Sequence, residues 1–406
     1  MSTQLGLPIP AGTFLFTVPL VLQIFLRHPF YNSNQPARVL RMALMPITIY
    51  LTLSSQPARM WEPREEFLHI NFALVSFLTV HVVCLAIQLG LSNSPPLYTQ
   101  NLKDQISQEH EMSSKAHQKI SSTPKSESPP SWGESIKFII WFLFSPRFVK
   151  TTWASPTAIV PLGPKLCLQD FFIKTLKKSL RDHLLFLACW IVATTLTKYP
   201  SGSYRFLIEK CGFHESFLLK SLAPYLNALP HAFSTWLVLE VQCNIVTMIE
   251  LGFYYIGPKL LPQSISPGPF DSTLYSPLFP DLWGQSSIGA FWSKGWHSVF
   301  RRHIMFCVAS PIARLCDPLG KFMSTQIGNL FAMIFSSLFH EYILISIAPS
   351  GDPTYSTSKV WLYSALAIVL ESIFKMVTGK KVGGLIGKIW TYSFILILTT
   401  QAITKW

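Results

Sequence analysis

Two histidines in contrasting settings are the residues of this chain best placed to do chemistry. His340 lies inside the apolar run Gln326–Ala348, beside a single carboxylate, Glu341. At about 1.5 Å per residue that run is long enough to cross the hydrocarbon core of a bilayer, where an ionisable group is costly and marks a functional site. An imidazole titrates near neutral pH, which suits general-base work on a hydroxyl. On a helix advancing about 100° per residue, Ser336 and Ser337 lie one turn back and Asn329 falls within about 20° of the His340 face. Asn329, Ser336 and His340 then form a polar stripe that points to an interior cavity. The plainer alternative is a histidine hydrogen-bonded to a neighbouring helix as structural glue.

The second histidine, His297, ends the aromatic-basic stretch Ser287-Ile-Gly-Ala-Phe-Trp-Ser-Lys-Gly-Trp-His297, with Arg301 and Arg302 just beyond it. A helix starting at Ser286 places Lys294, His297 and Arg301 on one face, a cationic patch able to meet a phosphorylated ligand. Tryptophan mixed with basic residues equally marks an interfacial helix. A third group, Glu240, Gln242, Asn244 and Glu250, falls within the apolar stretch 231–256. Glu240 and Asn244 share a helix face. Carboxylates inside a span are expected to line a cavity, with a partner helix as the alternative. Glu371 adds one more, with no assigned role.

The elements that must carry these residues are membrane spans. Of the 406 residues, 49% are hydrophobic and 13% charged, against about 25% charged in soluble domains. Apolar runs at about 9–26, 40–55, 67–91, 183–198, 231–256, 303–317, 326–348, 358–377 and 384–402 predict an all-α polytopic integral membrane protein with about 8–9 transmembrane helices. The runs 40–55 and 303–317, each with an arginine and a proline, are expected to be kinked, tilted or re-entrant. Three regions follow: N-terminal transmembrane helices at 1–91, a polar loop at 92–135 and a catalytic membrane region at 136–406. Within the last, 169–182 has the pattern of an amphipathic helix lying on the membrane surface.

The net charge of +13 comes from basic residues placed between apolar blocks, as topology determinants are. No basic stripe interleaved with stacking aromatics occurs on a soluble segment, so nucleic acid is excluded as a partner and the bilayer is the expected one. Segments 27–41 and 136–182 read as cytosolic, and span counting puts the 257–302 loop on the same side. Seven scattered cysteines indicate neither a disulfide framework nor a zinc site. No nucleophile elbow, Walker loop, dinucleotide fingerprint or zincin motif is present.

The stretch Ser287–His297, followed some forty residues later by Ser336-Ser-Leu-Phe-His-Glu341, resembles the wax synthase-like branch of the membrane-bound O-acyltransferases. The resemblance covers about 270–350. Ser337 stands where relatives often have glycine, a small-for-small change. It implies His340 as the catalytic histidine, His297 assisting at the acyl or acceptor group, and Phe291, Trp292 and Trp296 shaping the loop. It also implies an acyl-CoA co-substrate with no bound cofactor and no metal. Many fungal members of this length acetylate hydroxylated terpenoids and meroterpenoids. The expected reaction is therefore acetyl transfer from acetyl-CoA to a small lipophilic alcohol in the endoplasmic reticulum membrane. Long-chain wax or sterol ester synthesis is the alternative within the class, and a proton-coupled transporter the alternative outside it. Lys294, Arg301 and Arg302 are expected at the CoA phosphates, with Asn329, Ser336, Glu240 and Asn244 lining the substrate cavity.

Overall fold

The computed structural model describes residues 14–54, 68–93, 129–143, 165–199, 202–296, 300–347 and 354–403, with isolated residues at 96, 145, 148, 151 and 153. Every long element among them is a helix. In chain order these are α1 (Thr17–Phe25), α2 (Pro29–Asn32), α3 (Gln35–Ser54), α4 (Leu68–Leu91), α5 (Trp132–Leu143), α6 (Leu168–Lys198), α7 (Gly202–Glu209) and α8 (Phe217–Leu260). They continue with α9 (Ile288–Ala290), α10 (Arg301–Ile304), α11 (Ser310–Leu315), α12 (Lys321–Ile347), α13 (Ser356–Thr378) and α14 (Gly384–Ile403).

Among the described residues five helices are long and apolar enough to cross a membrane: α3, α6, α8, α12 and α13. They expose apolar side chains such as Leu180, Leu184 and Ile191 on α6 and Leu366 and Leu370 on α13. In water such surfaces would be a liability; against lipid they cost nothing, because all backbone polar groups are satisfied within the helix. The protein is an all-α polytopic membrane protein.

Local sequence explains where several helices start. Ser131 and Glu134 form a capping box on α5: the Ser131 amide donates to Glu134 Oε2 at 2.7 Å, and the Glu134 amide donates back to Ser131 Oγ at 3.3 Å. Ser216 caps α8 by accepting from the Leu219 amide at 3.1 Å. One sequence expectation is corrected, and one irregular run takes shape. Residues 169–182 are not a separate surface helix but part of the first half of α6, a continuous 31-residue helix. The 303–317 run, expected to be kinked, tilted or re-entrant, breaks into α10, a π-helix at Met305–Ala309 and α11, with Pro311 in the first turn of α11.

The α6 correction follows from a charged network. Lys178 and Asp182 are i, i+4 on α6, and Glu240 and Asn244 are i, i+4 on α8, so the two pairs meet across the helix interface. Lys178 Nζ reaches Glu240 at 2.5 Å, Asp182 at 3.1 Å and Asn244 Oδ1 at 3.1 Å, while Asn244 Nδ2 donates to Asp182 at 3.1 Å. Arg181 also pairs with Asp182, at 2.7 Å. Two cations and two anions cancel, which is what a low-dielectric setting demands. Glu240→Ala is expected to leave Lys178 with one carboxylate fewer and to cost about 1–2 kcal/mol, less than a fully buried pair because Lys178 is partly exposed. The measurement is a thermal unfolding midpoint in detergent, which should fall by a few degrees.

At the N-terminal end Arg27 and Arg41 are fully buried. Arg27 donates to Asn32 Oδ1 and to the Ser92 carbonyl, each at 2.7 Å, and Arg41 donates to the Leu26 carbonyl at 2.8 Å. The basic residues that mark sidedness in the sequence thus also tie the α1–α2 turn to the end of α4.

Candidate active site

The segment from Ser287 to Leu315 enters the bundle beside α13 and returns beside α12. Its entry is fixed by Glu371 of α13, which accepts from the Ile288 amide at 2.7 Å and the Gly289 amide at 3.1 Å. α14 closes the same point. A Cβ at Gly387 would lie 2.3 Å from the Ser286 carbonyl oxygen, so only glycine allows that backbone approach. On the return side, a Cβ at Gly328 of α12 would lie 2.8 Å from the Ala309 carbonyl oxygen, so the arm lies directly against α12.

The inward arm is not the regular α-helix expected from Ser286. After α9 it becomes a π-helix over Phe291–Trp296, and α10 begins at Arg301. A π-turn inserts a residue into the helical repeat, so α-helical spacing does not hold across Phe291–Trp296. Lys294 is exposed. Arg301 turns back and donates to the Ser293 carbonyl at 3.1 Å. Arg302 is buried, donates to the Trp153 carbonyl at 2.5 Å and places its guanidinium 4.3 Å from the Phe148 ring and 4.8 Å from the Trp153 ring. His297 lies outside the described residues.

The arm's aromatic residues reach His340 through a residue that sequence reading missed. Phe291 and Trp292 are buried, and the Trp292 ring lies 4.4 Å from that of Trp361 on α13. The Trp361 ring lies in turn 4.5 Å from the His340 imidazole. Phe291 packs on Trp292 at 5.1 Å and stacks on Trp296 at 6.4 Å, and Trp296 packs on Phe279 at 5.1 Å. Phe291, Trp292, Trp361 and Met333 belong to one apolar core. Trp361 carried no separate sequence signal, because a tryptophan near a span end reads first as an interfacial anchor.

His340 is only partly covered, at the inner end of this aromatic series. Its Nδ1 lies 2.7 Å from the Ser336 carbonyl oxygen. A carbonyl only accepts, so Nδ1 carries the proton, and in the neutral ring Nε2 is the basic nitrogen. Ser336 therefore meets His340 through its backbone carbonyl. Asn329 shares the face but stands about 16 Å below His340 along the helix axis, eleven residues away. Glu341 points to α13, accepting from the Ser358 amide at 3.0 Å and the Ser358 hydroxyl at 2.7 Å, and Ser337 donates to Ser358 at 2.9 Å. These bonds lock α12 to the start of α13 and so hold His340 and Trp361 in register. Glu240 and Asn244 are engaged with Lys178 and Asp182, as described above.

A separate buried pair joins α4 to α10: His81 Nδ1 lies 2.9 Å from His303 Nε2, with the rings stacked at 5.1 Å. Among the described residues no group of three or more histidine, cysteine or acidic side chains could hold a metal ion.

No curated protein matches this chain. Residues 275–363, the segment that contains the inward arm, His297, His340 and Trp361, match the model of the membrane bound O-acyl transferase family, and it is to that family that this part of the chain is similar.

Proposed function

We propose that the protein is an acyl-CoA-dependent O-acyltransferase of the wax synthase-like branch, transferring acetyl from acetyl-CoA to a hydroxyl of a lipophilic secondary metabolite such as a terpenoid or meroterpenoid. The observation that supports this most is the 2.7 Å contact of His340 Nδ1 with the Ser336 carbonyl, which leaves Nε2 as the base inside a segment that matches an acyltransferase family. In this reading the acceptor hydroxyl gives its proton to Nε2 as its oxygen attacks the thioester carbonyl carbon. The tetrahedral oxyanion is stabilised by a hydrogen bond from His297. Collapse breaks the carbon–sulfur bond, and the departing CoA thiolate takes the proton from His340. Both substrates are held at once, and no covalent enzyme intermediate forms. Lys294 and Arg301 serve the CoA phosphates from the cytosolic face of the endoplasmic reticulum membrane, and Arg302 supports that face from within.

Incubating the purified protein with radiolabelled acetyl-CoA and a panel of lipophilic alcohols tests the reading. Label is expected in the ester product, with acetyl-CoA preferred over palmitoyl-CoA. Preference for the long chain would replace acetyl transfer with wax or sterol ester synthesis. Proton-coupled flux without label transfer would replace the enzyme with a transporter.

A further inference from the structure

The first turn of the inward arm is satisfied without water. Ile288 and Gly289 donate their amides to Glu371 Oε1 and Oε2, Ala290 donates to Ser287 Oγ at 3.1 Å, and Phe291 donates to the Ser287 carbonyl at 2.9 Å. The Ile288, Gly289 and Ala290 amides, which a helix start leaves open, are therefore accounted for. Glu371 takes a third donor, Trp390 Nε1 of α14, at 3.1 Å. The charge of this carboxylate is held by three N–H groups from two different elements. The same helix, α13, carries Trp361 ten residues earlier, about 15 Å along the axis. One rigid helix thus holds the entry of the arm at Glu371 and meets its indole Trp292 at Trp361, against His340.

We propose that Glu371 is a positioning residue for acyl transfer: its carboxylate sets the depth and rotation of the Phe291–Trp296 arm relative to His340. This rests on the reading that the arm and His340 form one acyl-transfer site. The chemistry demands a carboxylate. A carboxamide at this position has one oxygen for two backbone donors and turns its own NH2 toward the other, leaving an amide unsatisfied. An aspartate is one methylene too short to span both.

The test uses the full chain in detergent micelles, comparing Glu371→Gln and Trp390→Phe with the unaltered protein. Two readouts are taken: hydrogen exchange of the peptide spanning 286–296, and kcat and KM for acetyl transfer. Glu371→Gln is expected to speed exchange across Ile288 and Gly289 about tenfold and to lower kcat about tenfold, with KM for acetyl-CoA within about threefold, because misplacement by a fraction of an ångström is felt in the reacting geometry. Trp390→Phe removes one donor of three and should leave both readouts near those of the unaltered protein. Unchanged exchange in Glu371→Gln overturns the proposal, as does faster exchange with undiminished kcat. Faster exchange spread equally over α3 and α4 overturns it too, since that is general loosening. If the unaltered protein transfers no acyl group, the reading of the function fails, and the exchange data alone decide whether Glu371 holds the arm.

Discussion

His340→Ala is expected to lower acyl transfer by about 10³-fold or more while the protein still folds. General-base groups contribute about 10²–10⁴-fold, and here no second imidazole of α12 stands near enough to substitute. The structural loss is small. The residue is only partly buried, its hydrogen bond goes to a carbonyl of its own helix, and its packing partner Trp361 stays supported by Trp292 at 4.4 Å. Product formation from labelled acetyl-CoA, read beside a thermal unfolding midpoint, separates the two effects. A near-normal rate would remove the base role. A folded fraction lost together with activity would favour the plainer reading of His340 as interhelical glue. His340→Gln provides a control, because its amide can keep the Ser336 contact but cannot accept a proton near neutral pH.

His297→Ala carries the second-largest expected loss, about 10²-fold in kcat, the scale observed when one oxyanion donor is removed from a preorganised site. His297→Asn should recover part of that rate, because an amide N–H can still donate to the oxyanion without exchanging a proton. The ordering native, then asparagine, then alanine is the signature of a hydrogen-bond donor. Equal rates for all three would end the assignment, and a rate for asparagine as low as for alanine would point instead to a proton-transfer role for the imidazole.

Much of this was legible in the residues. Long uncharged blocks demand helices, since a bilayer offers no partner for backbone N–H and C=O groups, and α3, α6, α8, α12 and α13 lie where those blocks fall. His340 stood out because charge in hydrocarbon is expensive, and the tryptophan-rich stretch ending at His297 stood out by its composition. Other features were not legible, for identifiable reasons. The amphipathic look of 169–182 is genuine, but Lys178 and Asp182 face Glu240 and Asn244 on α8 while Lys174 and Lys177 stay exposed, and periodicity cannot tell one polar partner from the other. The π-turn at Phe291–Trp296 changes the register by one residue, and helical spacing presumes that no such insertion occurs.

The chain's composition and hydrophobic pattern were enough to establish a helical membrane protein with an ionisable residue deep in one span, because both depend on local transfer energies summed along the sequence. Which groups meet that residue depended on three-dimensional packing. Trp361 lies 21 residues downstream of His340 and Trp292 lies 48 upstream, yet their rings form one contiguous series. Glu371 reaches back to Ile288 across an even longer loop of chain. These contacts are non-local and carry no periodic signature. They exist because α13 packs against both α12 and the inward arm, and that arrangement is set by complementary surfaces that no single stretch of sequence contains.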